Sequence, residues 1–396
     1  MRIYADNAAT TKISKAALQA MIDCADKFPG NPSSLHTSGQ LAAEELYRCR
    51  SKMAELLGAS EAREIYFTSG GSEADNQAIF STAYRFKSKG KTHIISTAFE
   101  HHAVLHVLER LEKEGFEVTL VPVNENGIVN VSDIEKAITD KTCLVSVMAA
   151  NNEIGTLQPI AEIGKLCREK GVLFHTDAVQ AVGHIKVNVE EMNIDLLSLS
   201  AHKFNGPRGV GALYARRGVI LKNLIEGGAQ ERGKRAGTEN LPAISGMVAA
   251  LEEAISSIDS HAEKLEILRT RLIAGLSQIP HSILNGDEKL RLPGNVNFCF
   301  EGIEGESLLL LLDDKGVEAS SGSACTSGSL DPSHVLLAIG RPKDVAHGSL
   351  RLTLAPENTE EEVDYIINST KEVVEYLRSI SPVWEELEKG EREFIL

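Results

Sequence analysis

Lys203 lies where a side-chain amine could react with an aldehyde. Residues 198–207, which read SLSAHKFNGP, follow an apolar strand-like run and place Ser200, His202 and Lys203 just beyond its end. In an open α/β sheet, ligands bind in the crevice outside the carboxyl ends of the strands. Most lysines, however, are solvated surface groups. Lys203 therefore becomes a candidate nucleophile only if other segments supply suitable neighbours.

The segment TSGGSE, residues 68–73, runs from a strand through two glycines into a helix. Glycines allow backbone N–H groups to converge, and a helix N-terminus favours an anion, so a phosphate would fit there. We expect Ser72 to cap this helix. A tight glycine turn with an ordinary serine cap explains the segment equally well when it is taken alone. The segment contains neither GK[ST] nor GxGxxG, the signatures of nucleotide-binding loops.

The segment FHTDAVQ, residues 174–180, ends a buried strand in Asp177, three positions before Gln180. A carboxylate at a strand end is costly unless a cation or a proton donor pairs with it, which suggests a basic ligand nitrogen. A structural aspartate that caps the next turn is the alternative. A phosphate cradle, an acidic partner for a ring nitrogen and an aldehyde-reactive lysine together favour pyridoxal 5′-phosphate (PLP).

Seven segments carry a resemblance to a known family. They are residues 4–11 (YADNAATT), 30–34 (GNPSS), 100–101 (EH), 151–153 (NNE), 177–180 (DAVQ), 200–203 (SAHK) and 321–325 (SGSAC). Together they resemble the cysteine desulfurases of the NifS/IscS type. The resemblance implies the class V, fold-type I fold of PLP-dependent aminotransferases, an α/β fold whose large domain holds a seven-stranded mainly parallel sheet between helices. It also implies an activity that takes sulfur from L-cysteine and leaves L-alanine and an enzyme persulfide.

The resemblance assigns roles to individual residues. Lys203 would bind PLP covalently, Asp177 would pair with the ring nitrogen, Gln180 would bond the phenolic oxygen, and His101 would stack on the ring and act as an acid/base. Gly71, Ser72, Ser200 and His202 would hold the phosphate, together with Thr238 from the partner subunit of a homodimer. Asn152, which also borders the cofactor, and Arg351 would bind the substrate carboxylate. Ser72 and Ala236 depart mildly from the usual family residues, threonine and serine.

Cys325 lies in SSGSACTSGS, residues 320–329, a run of small residues that can bury little surface. An exposed thiol suits a group that must reach a substrate sulfur and then carry sulfur outward. The resemblance implies that Cys325 receives the sulfur, and that the loop is the longer, first-group version, which delivers sulfur directly to an iron–sulfur scaffold protein or another acceptor. The residue is therefore the third candidate catalytic group, with Lys203 and His101.

Elements that could position these groups follow from the hydrophobic pattern. From about residue 60, apolar strand-like runs alternate with helical ones, which predicts a mainly parallel sheet covered on both faces. We expect a large PLP-binding domain over residues 12–257. Residues 1–11 and 258–396 would form a smaller α+β domain that carries Cys325. The long helical pattern after Pro242 is expected to break near residues 258–261, Thr359 to cap the last long helix, and the tail after Pro382 to be loosely attached.

Composition excludes several other classes of protein. The chain has 396 residues, 42% of them apolar, and a net charge of −15, which argues against a nucleic-acid partner. Apolar runs of the roughly 20 residues needed to span a membrane are not evident, and the N-terminus lacks the pattern of a secretory signal, so a cytoplasmic location is expected. Six scattered cysteines fit neither a disulfide framework nor a metal site. Two alternatives remain open: a selenocysteine lyase or related class V transaminase, and a non-catalytic iron–sulfur scaffold.

Overall fold

The computed structural model describes residues 2–321 and 332–396, and the strands of these two ranges form three sheets. The strands are β1 (Ile3–Tyr4), β2 (Ile65–Thr68), β3 (His93–Thr97), β4 (Glu117–Val121), β5 (Thr142–Ser146), β6 (Leu173–Asp177), β7 (Leu196–Ser200), β8 (Gly211–Ala215), β9 (Ser282–Leu284), β10 (Asn295–Phe300), β11 (Val317–Glu318) and β12 (Ser349–Thr353). The largest sheet has seven strands in the order β2-β8-β7-β6-β5-β3-β4. Only β8 pairs antiparallel to its neighbours, which confirms the predicted mainly parallel sheet.

The described residues form thirteen α-helices, and several of them cover both faces of the large sheet. They are α1 (Lys15–Lys27), α2 (Thr37–Leu57), α3 (Gly71–Lys87), α4 (His102–Lys113), α5 (Val131–Ala137), α6 (Ile160–Lys170), α7 (Gln230–Gly233), α8 (Leu241–Leu276), α9 (Gly305–Asp314), α10 (His334–Ala338), α11 (Lys343–Ala346), α12 (Glu360–Ser379) and α13 (Pro382–Glu388). Alternate strand residues face opposite layers: Leu196 packs with α3 and α4, whereas Leu197 packs with α1, α2 and α6. Burial on both faces explains why these strands are apolar throughout.

Helix α8 contributes to two hydrophobic cores. Its first part, including Leu241 and Leu251, packs in the core of the large sheet, and its last part, including Leu265 and Leu276, packs beside the small sheet. The predicted break near residues 258–261 is wrong, since the helix runs unbroken for 36 residues. Packing at both ends outweighs the weak helix propensity of the serines in the middle. By length and composition α8 could cross a membrane, but 61% of its most apolar window is buried inside the protein, as in a core helix.

A second core surrounds the three-stranded antiparallel sheet β12-β10-β9. Helices α9 and α12 pack on it, and Thr359 caps α12 in a capping box with Glu362, as expected. Strand β1 pairs with β11, so the N-terminus starts beside this sheet. The predicted domain boundary at residue 257 falls inside α8 and stays a prediction.

The C-terminal tail is docked, so the expectation of a loosely attached end is wrong. The Arg378 guanidinium lies 4.0 Å from the ring centroid of Trp384, and the His281 ring stacks on Phe394 with centroids 3.9 Å apart. The last two backbone N–H groups donate to the buried carboxylate of Glu301, at 2.8 and 3.0 Å. One tryptophan and one phenylalanine thus anchor a segment whose composition is otherwise charged.

The expected cap of α3 is also wrong. The helix begins at Gly71, with Gly70 as its N-cap and without a side-chain cap within the described residues. Ser72 is exposed inside the first turn, where its carbonyl accepts a hydrogen bond from the side chain of Asn76. The first N–H groups of α3 are therefore left for another acceptor.

Five cysteines are free and buried: Cys24, Cys49, Cys143, Cys167 and Cys299. They behave as small buried hydrophobic residues, and burial raises the pKa of each thiol, for example to about 11 for Cys299. Cys325, the sixth, lies outside the described residues. Within residues 2–321 and 332–396, the side chains form no group of three or more that could hold a metal ion.

Candidate active site

Lys203 ends a short 3-10 helix, Ala201–Lys203, that directly follows β7. Its Nζ donates to two backbone carbonyls of the N-terminal segment, that of Ala8 at 2.5 Å and that of Ala9 at 2.9 Å. The same segment is tied to the loop by Thr11, whose N–H and hydroxyl both donate to the carbonyl of His202 at 2.9 Å. The structure thus holds the candidate nucleophile between β7 and residues 8–11.

The charge of Lys203 lowers the pKa of three other predicted site residues. The pKa of His101 falls to about 4, mainly because of burial and then because of Lys203. The same two causes lower the pKa of His202 to about 4. Lys203 also pulls downward on the pKa of Asp177. His101, Asp177, His202 and Lys203 therefore share one electrostatic neighbourhood, although three separate strand ends supply them.

Asp177 is the last residue of β6 and is almost wholly buried. Its Oδ1 accepts the N–H of Val179 at 2.9 Å, while burial, and then the carboxylate of Asp75, raise its pKa to about 7. Gln180 follows on the next turn and donates from Nε2 to the Ala8 carbonyl at 3.0 Å. Lys203 donates to the same carbonyl, so Ala8 connects the amine of Lys203 with the side-chain amide of Gln180.

His101 caps helix α4, where its Nδ1 accepts the N–H of Ala103 at 3.1 Å. This bond fixes the ring at the end of β3, on the edge of the sheet that also carries Asp177 and Lys203. His102, which we interpret as structural, has its ring centroid 6.3 Å from that of His101. Its ring centroid is 4.9 Å from that of His106 and 4.8 Å from that of His334.

The predicted phosphate cradle gathers at the N-terminus of α3. A Cβ atom at Gly71 would lie 2.5 Å from a methyl carbon of Val179 and 3.7 Å from Cβ of Ser200, so the turn packs directly against β7 and the loop after β6. His202 is placed nearby, with Nδ1 3.1 Å from the hydroxyl of Thr10. Gly71, Ser200 and the uncapped helix end are thus brought together, whereas Ser72 is exposed.

Thr238 is exposed on the loop that follows α7. Arg235, three residues earlier, bonds Glu73 in the first turn of α3 at 3.0 Å, so this loop runs close to the cradle. An orientation toward a partner subunit stays a prediction.

Arg351 and Asn152 meet at the other side of the site. Nη1 of Arg351 donates to the Asn152 carbonyl at 3.0 Å, and Nη2 donates to Asp6 at 2.9 Å. The guanidinium is buried, and its Nε has no partner within the described part of the chain. A buried guanidinium with a spare donor can accept a carboxylate.

The segment that contains Cys325 is flanked by two anchored serines. Ser320 exchanges two backbone hydrogen bonds with Arg351, at 2.7 and 3.2 Å. Ser333 donates from its hydroxyl to the buried carboxyl of Glu153. Both ends of the predicted sulfur-carrying segment therefore join the chain beside Arg351 and Asn152, but Cys325 itself lies outside the described residues.

Sequence reasoning missed three buried titratable residues: Asp75, Glu100 and His175. Burial raises the pKa of Glu100 to about 8, and its carboxyl accepts from Thr97 at 2.6 Å and from the N–H of Met148 at 3.0 and 3.1 Å. It thereby joins the loops after β3 and β5. For His175, the available signal was its spacing of two from Asp177, which puts both on one face of a strand. For Asp75, the available signal was an acidic residue within an otherwise apolar face of α3.

Residues 3–366 match the family described as aminotransferase class-V. The chain belongs to this family. A cysteine desulfurase IscS of Clostridium botulinum is 54% identical over 395 residues, 99% of each chain. A solved structure named NifS-like protein has a TM-score of 0.89 and 39% identity, covering 95% of this chain and all of that one. Another, described as SspA in complex with cysteine, has a TM-score of 0.79 and 35% identity, covering 90% and 99%.

These similarities confirm the predicted resemblance of this class-V chain to the NifS/IscS type. They do not favour a selenocysteine lyase or a transaminase, since the matched relatives and structures are named otherwise. The non-catalytic scaffold is not favoured either, since the matched relatives are named cysteine desulfurases, which are enzymes.

The low pKa of His101 in this class-V chain predicts a ring that stays neutral. A group whose folded pKa is about 4, against 6.5 unfolded, is uncharged in the folded state across neutral pH. We expect NMR of ¹⁵N-histidine-labelled protein to show no protonation of His101 between pH 9 and about pH 5. His101→Gln assigns the signal by its disappearance, and a titration midpoint above pH 6 would contradict the described environment.

Proposed function

We propose that this protein is a PLP-dependent cysteine desulfurase that converts L-cysteine into L-alanine and a persulfide on Cys325. The observation that carries the proposal is the convergence of Lys203, His101 and Asp177 in one electrostatic neighbourhood at the carboxyl edge of the large sheet. The 54% identity to a cysteine desulfurase IscS over the full chain supports the substrate. A structural relative is described in complex with cysteine, which supports the same choice.

The residues present fit PLP. The N–H groups at the start of α3 lack a side-chain cap among the described residues, as a phosphate site requires. Asp177 is a buried acid that would gain a hydrogen-bond partner from a protonated ring nitrogen. When bound, PLP supplies an aldehyde that reacts with amines and a ring that takes up electrons from the substrate. Lys203 would hold it covalently, Gln180 would bond its phenolic oxygen and His101 would lie against its ring.

The phosphate would be held by the first turn of α3 and by residues around it. Gly71 and Ser72 would donate from the backbone, while Ser200 and His202 would contribute from the end of β7. Thr238 would come from the partner subunit. The helix dipole adds a favourable field for the anion at this point.

The chain's own residues then account for the reaction. Arg351 and Asn152 bind the substrate carboxylate, and the amine of Lys203 moves the α-proton. His101 would serve as the acid/base toward the substrate thiol, the role that the family resemblance implies. The thiolate of Cys325 attacks the substrate sulfur: an S–S bond forms, the C–S bond breaks, and the electron pair of that bond stays with the carbon, which is later protonated to give alanine. The persulfide sulfur then passes to an acceptor.

The acceptor would be an iron–sulfur scaffold protein or an enzyme of tRNA thiolation in the cytoplasm. The anchoring of Ser320 to Arg351 and of Ser333 to Glu153, on either side of the Cys325 segment, supports a sulfur path that starts beside the substrate residues and ends on a second protein.

Cys325→Ser tests the proposed sulfur path. The variant should bind PLP with wild-type absorbance but form no persulfide, because serine cannot take up sulfur. Mass spectrometry after addition of L-cysteine, together with an assay for alanine, measures both steps. Cys299→Ser is the matched control, since that thiol is fully buried and should leave persulfide formation intact. Normal sulfide and alanine production by Cys325→Ser would rule the path out.

Arg351→Lys tests the carboxylate site. Lysine keeps the charge but loses the two-pronged geometry of the guanidinium, so we expect the KM for L-cysteine to rise by about ten- to a hundredfold, as for loss of a charged hydrogen bond. Arg341→Lys is the control: this half-buried arginine bonds Asn285 and Leu284. Its KM should stay near the wild-type value, and an unchanged KM in Arg351→Lys would remove Arg351 from the substrate site.

A homodimer is part of the proposal, because Thr238 would serve the partner's phosphate. Helices α1 and α2 both pack on α8 and expose apolar side chains, among them Ile22 and Tyr47, at 55% and 66% exposure. These exposed apolar side chains are our candidates for the dimer interface. Sedimentation should give twice the chain mass of 42.9 kDa. Ile22→Glu with Tyr47→Glu should yield monomers, whereas Ile380→Glu, at an equally exposed site on the small sheet side, should not. A wild-type monomer would contradict the role of Thr238.

A further inference from the structure

Two buried polar residues, Asp75 and His175, lie close to Asp177 and take no part in the proposed chemistry. His175 and Asp177 are two residues apart in β6, so both side chains point to the same face of the sheet. Helix α3 packs across this face and brings Asp75 to it, with Oδ1 3.5 Å from Nε2 of His175. Neither Asp75 nor His175 exposes more than 1% of its surface.

Two serines hold the histidine ring from the neighbouring strands. The hydroxyl of Ser146, on β5, lies 2.8 Å from Nδ1 of His175, and that of Ser198, on β7, lies 3.0 Å from Nε2. The strand register fixes both contacts, since Ser146 pairs with His175 and Ser198 pairs with Asp177. Both ring nitrogens thus have a hydroxyl partner on a neighbouring strand.

Asp75 has fewer hydrogen-bond partners than His175. Its Oδ1 has no hydrogen-bond partner within the described residues, although it is fully buried. A buried carboxylate in that position is costly, and burial raises the pKa of Asp75 to about 7, with only a hydrogen bond from Ser198 opposing the rise. Packing alone would be better served by an apolar residue, because the neighbours on this helix face, Ala74, Ala78 and Ile79, are apolar.

We propose that Asp75 and His175 form a buried positioning pair that sets the charge of Asp177, and so the pH range in which the site accepts the ring nitrogen of PLP. The inference rests on the proposed function, since it assigns these residues to the same site. Asp75 and His175 act through Asp177 and touch neither cofactor nor substrate.

Four titratable groups face Asp177 or act on its charge. Asp75 on α3 raises the pKa of Asp177, whereas His175 on β6 and Lys203 after β7 lower it. Burial lowers the pKa of His175 itself to about 4, so its ring is uncharged between pH 5.5 and 9. Asp177 and Asp75 also raise the pKa of Glu100, which follows β3. With a pKa of about 8, Glu100 is largely uncharged at neutral pH. Asp75 is therefore the neighbour whose charge changes in the same range as that of Asp177.

The direction of the effect follows from this arrangement. A protonated ring nitrogen binds the ionised form of Asp177, so PLP affinity should be highest above the pKa of Asp177 and fall as the pH drops below it. A negative charge on Asp75 shifts that fall to higher pH, because two neighbouring carboxylates resist being charged together. Removing the Asp75 charge should shift it to lower pH.

Asp75→Asn tests the pair through PLP binding. Holoenzyme stripped of PLP would be titrated with PLP at pH values from 5.5 to 9, and the dissociation constant followed by absorbance. We expect the pH midpoint of the affinity loss to move down by about one unit, a typical effect of one nearby charge. The titration of free PLP is common to every variant and cancels in the comparison. An unchanged midpoint would overturn the inference.

Two further variants separate the pair from ordinary packing. Ser198→Ala removes the hydroxyl that contacts both His175 and Asp75. Loss of this hydrogen bond favours the protonated, uncharged form of Asp75. The pH midpoint should therefore also move down, but by less than in Asp75→Asn. Glu153→Gln is the matched control, because Glu153 is equally buried but bonds Ser333 and lies near Arg351 instead. It should leave the midpoint in place. A loss of affinity that is equal at all pH values would indicate a packing role only and would overturn the inference.

The failure of this inference can be told apart from failure of the proposed function. If the wild-type protein does not bind PLP through Lys203, the function itself is wrong. If the wild type binds PLP and its affinity falls at low pH, but Asp75→Asn behaves identically, only the role of Asp75 and His175 is wrong.

Discussion

Burial of acidic side chains at the carboxyl edge of the large sheet is the constraint around which this molecule is arranged. Asp177, Glu100 and Asp75 are nearly or fully out of contact with water, and burial raises the pKa of each toward or above neutrality. Such groups destabilise a fold unless donors or cations meet them. Here Thr97 and the N–H of Met148 donate to Glu100, the N–H of Val179 donates to Asp177, and Lys203 supplies a nearby cation. The free-energy cost of burying these carboxyl groups is therefore offset only when the residues of the site come together.

The N-terminal segment connects that edge with the second sheet. Its first residues pair with β11, Asn7 bonds the carbonyl of Thr353, and Ala8 and Ala9 then receive Lys203. A short stretch without helix or strand structure thus touches the amine, the amide of Gln180 and, through Asp6, the guanidinium of Arg351. Residues from both ends of the chain must be in place before the site is complete.

Much of the fold could be predicted because apolar strands and glycine turns have local signatures. Lys203, Asp177 and Gly71 stand out at strand ends, and parallel strands bring their carboxyl ends to one edge. Asp75 could not be found in this way, since its role depends on how α3 is rotated against β6, which local pattern does not determine. The role of Ser72 was misjudged because a serine after two glycines has the pattern of a cap, whereas the N-cap is Gly70, two residues earlier. The docked tail was missed because Trp384 and Phe394 are isolated among charged residues.

The continuity of α8 has a mechanical consequence. At 1.5 Å per residue, its 36 residues form a rod of about 54 Å that is embedded in one core at its start and in another at its end. Rotating one sheet against the other would bend this rod and strain its backbone hydrogen bonds, because α8 contains no proline or glycine between residues 247 and 274 where a kink could form. The rod therefore resists hinge motion, and it keeps Arg351, on the small sheet, at a set distance from Lys203, on the large one.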